Sequence, residues 1–241
     1  MFAVDNAAAL SWLLALLAIW AALLIGSVIA QWTSHSEHNK PATRLRLASS
    51  AILVIAAWSW YLTTRDTPRV AEFALLVALG MTFGFLGDLL LAEILPLRQS
   101  FLAGIGAFAV GHIAYISAIL SVTAHVQWMV EGIALLIGLA GWYLVVLRNP
   151  DAGLLRWAAL PYALLLATTA GLAAGLATQA GVFVPLAVGA ALFLISDLLV
   201  AGERFGGMRF PHVHDAIWLT YGPAQMLIVY TVNSALVVAG R

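Results

Sequence analysis

The chain has 241 residues, of which 63% are hydrophobic and only 9% charged, against about 25% charged in a typical soluble domain. Such a composition defines an integral membrane protein, and the fold class it implies is an all-α, polytopic bundle of membrane-spanning helices. A formal net charge of zero with no long basic run leaves no footprint for nucleic acid, and the lack of cysteine excludes disulfides, thiolate nucleophiles and cysteine-ligated zinc.

The opening stretch, MFAVDNAAAL, lacks a basic n-region. The apolar run behind it is as long as a bilayer is thick, so it is expected to be a retained first span. Apolar runs bounded by charge, Pro or Gly place eight transmembrane helices at 10–32, 46–63, 72–94, 101–121, 128–147, 155–178, 182–201 and 214–237, each near the ~20 residues needed to cross. The longest loop, TSHSEHNKPATRLR, covers 33–46. No soluble domain fits between spans, and residues 1–241 are expected to form a single membrane-embedded domain. The loops after spans 1, 3, 5 and 7 hold Lys40, Arg44, Arg46, Arg98, Arg148, Arg156, Arg204 and Arg209, whereas the other side holds Arg65, Arg69 and Arg241. This bias puts the first group inside and both termini outside.

A shift of 109 residues lays Gly80 on Gly189, Asp88 on Asp197, Leu89–Leu90 on Leu198–Leu199, Ala92 on Ala201 and Phe101 on Phe210. The copies lie four helices apart and therefore run in the same direction. A parallel 4+4 repeat would put both aspartates at one membrane depth.

These aspartates are the anomaly of the sequence. Asp88 sits in FGFLGDLLLAEILP and Asp197 in LFLISDLLVAGE, where an ionised carboxylate costs at least roughly 2.5–3.5 kcal/mol. At ~1.5 Å per residue, Asp88 lies about 10 Å from the end of its span and Asp197 about 8 Å; His112 lies about 16 Å into span 4 from the same side. Tyr115 follows His112 at i+3, and His214, Tyr221 and Gln225 are spaced by seven and four, so each set shares a stripe. Taken singly, these residues have structural readings. An aspartate near a helix end can snorkel or pair with Arg98 or Arg204, and lone His, Tyr or Gln residues pack or join helices. His212 and His214 read as solvent-facing, Glu72 and Glu131 as solvated or interfacial helix starts, and Gly171 with Gly175 as a packing pair. The matched aspartates favour function over structure. No Gly-x-Ser-x-Gly elbow, His-Glu-x-x-His helix or phosphate-binding glycine loop is present, which removes the chemistries those motifs carry.

Four stretches, FLGDLLL, FLAGIGAFAVGHIAYI, LFLISDLLVA and LTYGPAQMLI, resemble the YhhN family of membrane proteins, whose animal members include lysoplasmalogenase. The residues that carry the likeness are Gly87–Asp88, then Phe101, Gly104, Phe108, Gly111, His112 and Tyr115, then Ser196–Asp197, then Tyr221 and Gln225. Lys40–Pro41 before span 2 also matches. The chain departs from the pattern at Gly222–Pro223, where a kink in span 8 is expected.

The resemblance implies hydrolysis of the vinyl ether of a lysoplasmalogen, a lysophospholipid, by a multi-pass protein of a bacterial inner (cell) membrane. Protonation of the vinyl ether leaves an oxocarbenium ion, and two carboxyls sharing one proton in a dry site would supply both the acid and the facing anion. Asp88 and Asp197 would be the catalytic pair. His112, Tyr115, Tyr221 and Gln225 would orient them or hold substrate, and Lys40, Arg44 or Arg98 would hold the phosphate. No cofactor and no metal is expected. Two rivals stay open: a proton-coupled transporter using the paired aspartates, and a zinc hydrolase ligated by Asp88, His112, Asp197 and His214.

Overall fold

The computed structural model describes residues 4, 6–34, 39–95, 97–148, 153, 155–208 and 210–240. Arg209, Arg241 and Pro96, used above for orientation and for the end of span 3, lie outside them. Among the described residues there is no strand. The helices are α1 Ala7–Trp32, α2 Lys40–Thr64, α3 Pro68–Leu91, α4 Ser100–Val122, α5 Trp128–Gly141, α6 Leu155–Gln179, α7 Val184–Arg204, α8 Val213–Tyr230 and α9 Val232–Ala239. A π-helical segment, Trp142–Leu147, prolongs α5, and a 3-10 turn, Gly181–Phe183, leads into α7. Together they supply eight spans long and apolar enough to cross a membrane, as the hydropathy pattern requires.

The largest boundary difference is at α2, which starts at Lys40 rather than at 46. Asn39 caps it, its side chain accepting from the Ala42 amide at 3.4 Å, and Pro41 sits in the first turn, where its missing N–H costs nothing. The basic residues that read as loop are thus the first turns of a helix. At the other end of the chain, Pro223 lies inside α8. The helical run breaks instead at Thr231, whose hydroxyl bonds back to the Leu227 carbonyl at 2.6 Å.

Helices in lipid gain nothing from hiding apolar side chains from lipid, so close approach must come from small residues and polar contacts. α3 and α4 meet most extensively, and the cause is a glycine stripe on α3. A Cβ at Gly80 would stand 2.3 Å from the Tyr115 ring, one at Gly84 2.7 Å from Gln225 Nε2, and one at Gly87 2.6 Å from the Phe108 ring. The stripe is the groove that admits these three side chains. Neighbours in sequence pack in order, α1 on α2 on α3 on α4 and α5 on α6 on α7 on α8. The two sets meet where α4 packs on α6 and α2 on α8, an arrangement compatible with a duplication. Trp60, Phe73, Met81, Ile119 and Leu186 fill the interior. Glu131 is not a solvated helix start: it is buried, because Gly171 leaves the space its carboxyl enters. Gly175 likewise receives Gln127, so the Gly171–Gly175 pair does serve packing.

Candidate active site

Asp88 arrives from α3 and is 6% exposed. Ser50 of α2 donates its hydroxyl to Asp88 Oδ2, and Tyr221 of α8 stands near the same carboxyl. Asp197 arrives from α7, is half-buried, and accepts the Tyr162 hydroxyl of α6. The two carboxyls are near enough for their charges to interact. Both line one cavity of about 1760 Å³ together with Tyr162 and Tyr221.

Behind Tyr221 runs a one-way chain of hydrogen bonds. The Tyr115 hydroxyl donates to Gln225 Oε1 at 2.8 Å, and Gln225 Nε2 donates to the Tyr221 oxygen at 3.0 Å. Tyr221 accepts in this chain, so its own hydroxyl hydrogen stays available on the cavity that Asp88 also lines, and the chain fixes the orientation of the Gln225 amide. Gly80 and Gly84 are the reason the chain fits. His112 is 1% exposed; its Nδ1 lies 3.0 Å from Thr169 Oγ1, and its ring packs on Phe193 at 4.7 Å and Tyr162 at 5.8 Å. Its Nε2 is buried without a partner.

The site residues expected from sequence therefore separate into two layers. Asp88, Asp197, Tyr221 and Lys40 line the cavity. His112, Tyr115 and Gln225 do not; they lie behind Tyr162 and Tyr221 and act on the site only through them. His214 lines the cavity with Tyr221, but at its exposed edge, its Nε2 3.4 Å from Glu203 Oε1 and its side chain 53% exposed. His112 does not line it. Among the described residues, no three His, Asp or Glu side chains are grouped as metal ligands, which removes the donor set of the zinc reading.

Sequence reasoning missed Ser50, Tyr162 and a buried ion pair at the cavity mouth. Arg46 Nη2 of α2 bonds Asp215 Oδ1 of α8. Trp32 Nε1 donates to Asp215 Oδ2 at 3.0 Å, and His212 Nδ1 lies 3.2 Å from the same oxygen. The available signals were Tyr162 as the only tyrosine of span 6 and Asp215 at the start of span 8.

The cavity has two unlike regions. Lys40, Arg44, Arg46 and His212 stand at its mouth between α1, α2 and α8, while Ile105, Trp142, Val146, Ala163 and Leu198 form an apolar wall between α4, α5, α6 and α7. Both carboxyls line this same cavity. Among the described residues, Val77, Ile119 and Leu172 of the far half of the bundle do not line it.

An eight-span helical membrane protein with two carboxyls on one internal cavity is the class that this fold and site define. The chain matches the family model described as the YhhN family over residues 41–232, and it belongs to that family. Comparison with curated proteins gives no match, and neither does comparison with solved structures.

Proposed function

We propose that the protein is a membrane hydrolase that cleaves the vinyl ether of lysoplasmalogens, with Asp88 and Asp197 as its acid–base pair. The observation that supports this reading is that both carboxyls line one cavity whose wall also carries basic residues and a set of apolar ones. A lysolipid presents matching groups: a phosphate, a reacting ether and a hydrocarbon chain. Membership in the YhhN family is consistent with it.

The chemistry needs little else. One carboxylic acid delivers its proton to the β-carbon of the vinyl ether, leaving an oxocarbenium ion that the ionised partner faces. Water adds to the cationic carbon and gives up a proton to a carboxylate. The resulting hemiacetal collapses to a fatty aldehyde and a glycerophospho-base, consuming one water overall. Ser50, Tyr162 and Tyr221 hold the carboxyls in place through the cycle, and Tyr115 and Gln225 hold Tyr221.

The test is aldehyde release, read by mass spectrometry, from purified protein given 1-alkenyl, 1-alkyl and 1-acyl lysophospholipids. Aldehyde from the alkenyl lipid alone is expected. No aldehyde from any of them, together with proton-gradient-driven uptake in proteoliposomes, would replace this reading by the transporter.

A further inference from the structure

One face of α2 joins the cavity mouth to the carboxyls. Lys40, Thr43 and Arg46 line the cavity, and Ser50 donates to Asp88. Steps of three, three and four residues keep these side chains on one helical stripe. Arg46 is 5% exposed. Of the five N–H donors of its guanidinium, Nη2 serves Asp215, while Nε is buried with no partner. Asp215, by contrast, is amply supplied, with Trp32 and His212 beside Arg46. His212 is held there at φ +64°, a left-handed conformation that non-glycine residues seldom take. The carboxylate is thus held from three sides, and the guanidinium it fixes belongs to a residue of the cavity wall, beside Lys40 and Arg44.

We infer that Arg46, held by Asp215, binds the phosphate of the lipid on which Asp88 and Asp197 act, with Lys40 and Arg44 at the outer edge of the same subsite. The identity of the lipid rests on the hydrolase reading above; the affinity for a phosphate-bearing lipid does not. The spacing agrees with the assignment. Arg46 stands four residues from Ser50, about 6 Å of helix rise. Six bonds separate the cleaved ether carbon from phosphorus, about 7 Å at the ~1.2 Å per bond of an extended chain. The first turn of α2 opens on the same space, with Asn39 and Lys40 in the wall, and a helix N-terminus adds its positive dipole end toward an anion.

The test is ligand binding to the full-length protein in detergent, carrying Asp88→Asn so that no turnover occurs. Failure of the hydrolase reading would then leave the readout intact. The probes are a 1-O-alkyl lysophosphoethanolamine, the matching 1-O-alkylglycerol without phosphate, and inorganic phosphate. The lysophospholipid should bind at least about tenfold more tightly than the alkylglycerol, the scale of a charge-assisted hydrogen bond. Arg46→Gln should remove most of that difference and leave alkylglycerol binding unchanged. Since that change strands Asp215, the double variant Arg46→Gln/Asp215→Asn, which removes both charges, should show the same loss. The exposed pair Lys40→Gln/Arg44→Gln should reduce the difference by a smaller factor. Equal binding of the two lipids, equal weakening of both in the Arg46 variants, or inorganic phosphate binding as tightly as the lysophospholipid would each overturn the inference.

Discussion

Asp88 of the third span and Asp197 of the seventh line one cavity, yet they are held differently. Asp88 is buried, accepts the Ser50 hydroxyl from the preceding helix and has Tyr221 of α8 near it. Asp197 is half-buried and, among the described residues, has one hydroxyl donor, Tyr162 on its own preceding helix. The shift of 109 that pairs the aspartates also lays His112 on Tyr221. Tyr221 stands near Asp88, whereas His112 lies 3.0 Å from the Thr169 hydroxyl and packs its ring on Tyr162, the donor to Asp197. Two like groups on one cavity thus have unlike surroundings, which is what a pair dividing acid and base roles requires.

The comparison can be broken by substitution. Asp88→Asn and Asp197→Asn keep the shape but cannot deliver or accept the carboxylic proton. Each is expected to cut aldehyde release by about 10²–10⁴-fold, the usual worth of general acid–base catalysis. Tyr162→Phe should cost roughly 10–100-fold, as loss of a hydrogen bond to a charged group does. Tyr221→Phe should cost less than Tyr162→Phe, because Ser50 still serves Asp88; removing both Ser50 and Tyr221 hydroxyls should bring the loss level with Tyr162→Phe. Steady-state turnover of the five variants checks that order, and a larger loss in Tyr221→Phe than in Tyr162→Phe would contradict it. Gln225→Leu leaves the Tyr115 and Tyr221 hydroxyls without their buried partner and is expected to lower stability by about 1–3 kcal/mol, read by thermal unfolding in detergent. Gly80→Ala drives a Cβ into the Tyr115 ring and should destabilise by a similar ~1–3 kcal/mol through overpacking. Tyr115→Phe, at the far end of the chain of hydrogen bonds, should have the smallest effect on turnover.

The spans were legible because hydrocarbon imposes length and apolarity on every segment that crosses it. The first turns of α2 were not, because Arg44 and Arg46 carry charge, and the partner that makes Arg46 tolerable in a buried place is Asp215, 169 positions away in sequence. Asp88 and Asp197 stood out because a carboxyl in an apolar run needs a reason. Ser50 did not, since serine and threonine hydroxyls in helices commonly bond back to their own backbone, as Ser59, Thr82 and Thr220 do here, and Tyr162 reads alone as a packing aromatic. His112, Tyr115 and Gln225 were visible as polar groups in a membrane span. Helix rise gives depth alone, however, and cannot tell a side chain on the cavity from one standing behind it.

The central claim is that the two aspartates work as one unit, and a double-mutant cycle tests it most directly. Turnover of a 1-alkenyl lysophospholipid would be measured for the unmodified protein, Asp88→Asn, Asp197→Asn and the double variant, each shown to fold by its thermal transition. The double variant should be little slower than the slower single one, because removing either member disables the pair. Losses that multiply, or near-full turnover in Asp197→Asn, would contradict the claim.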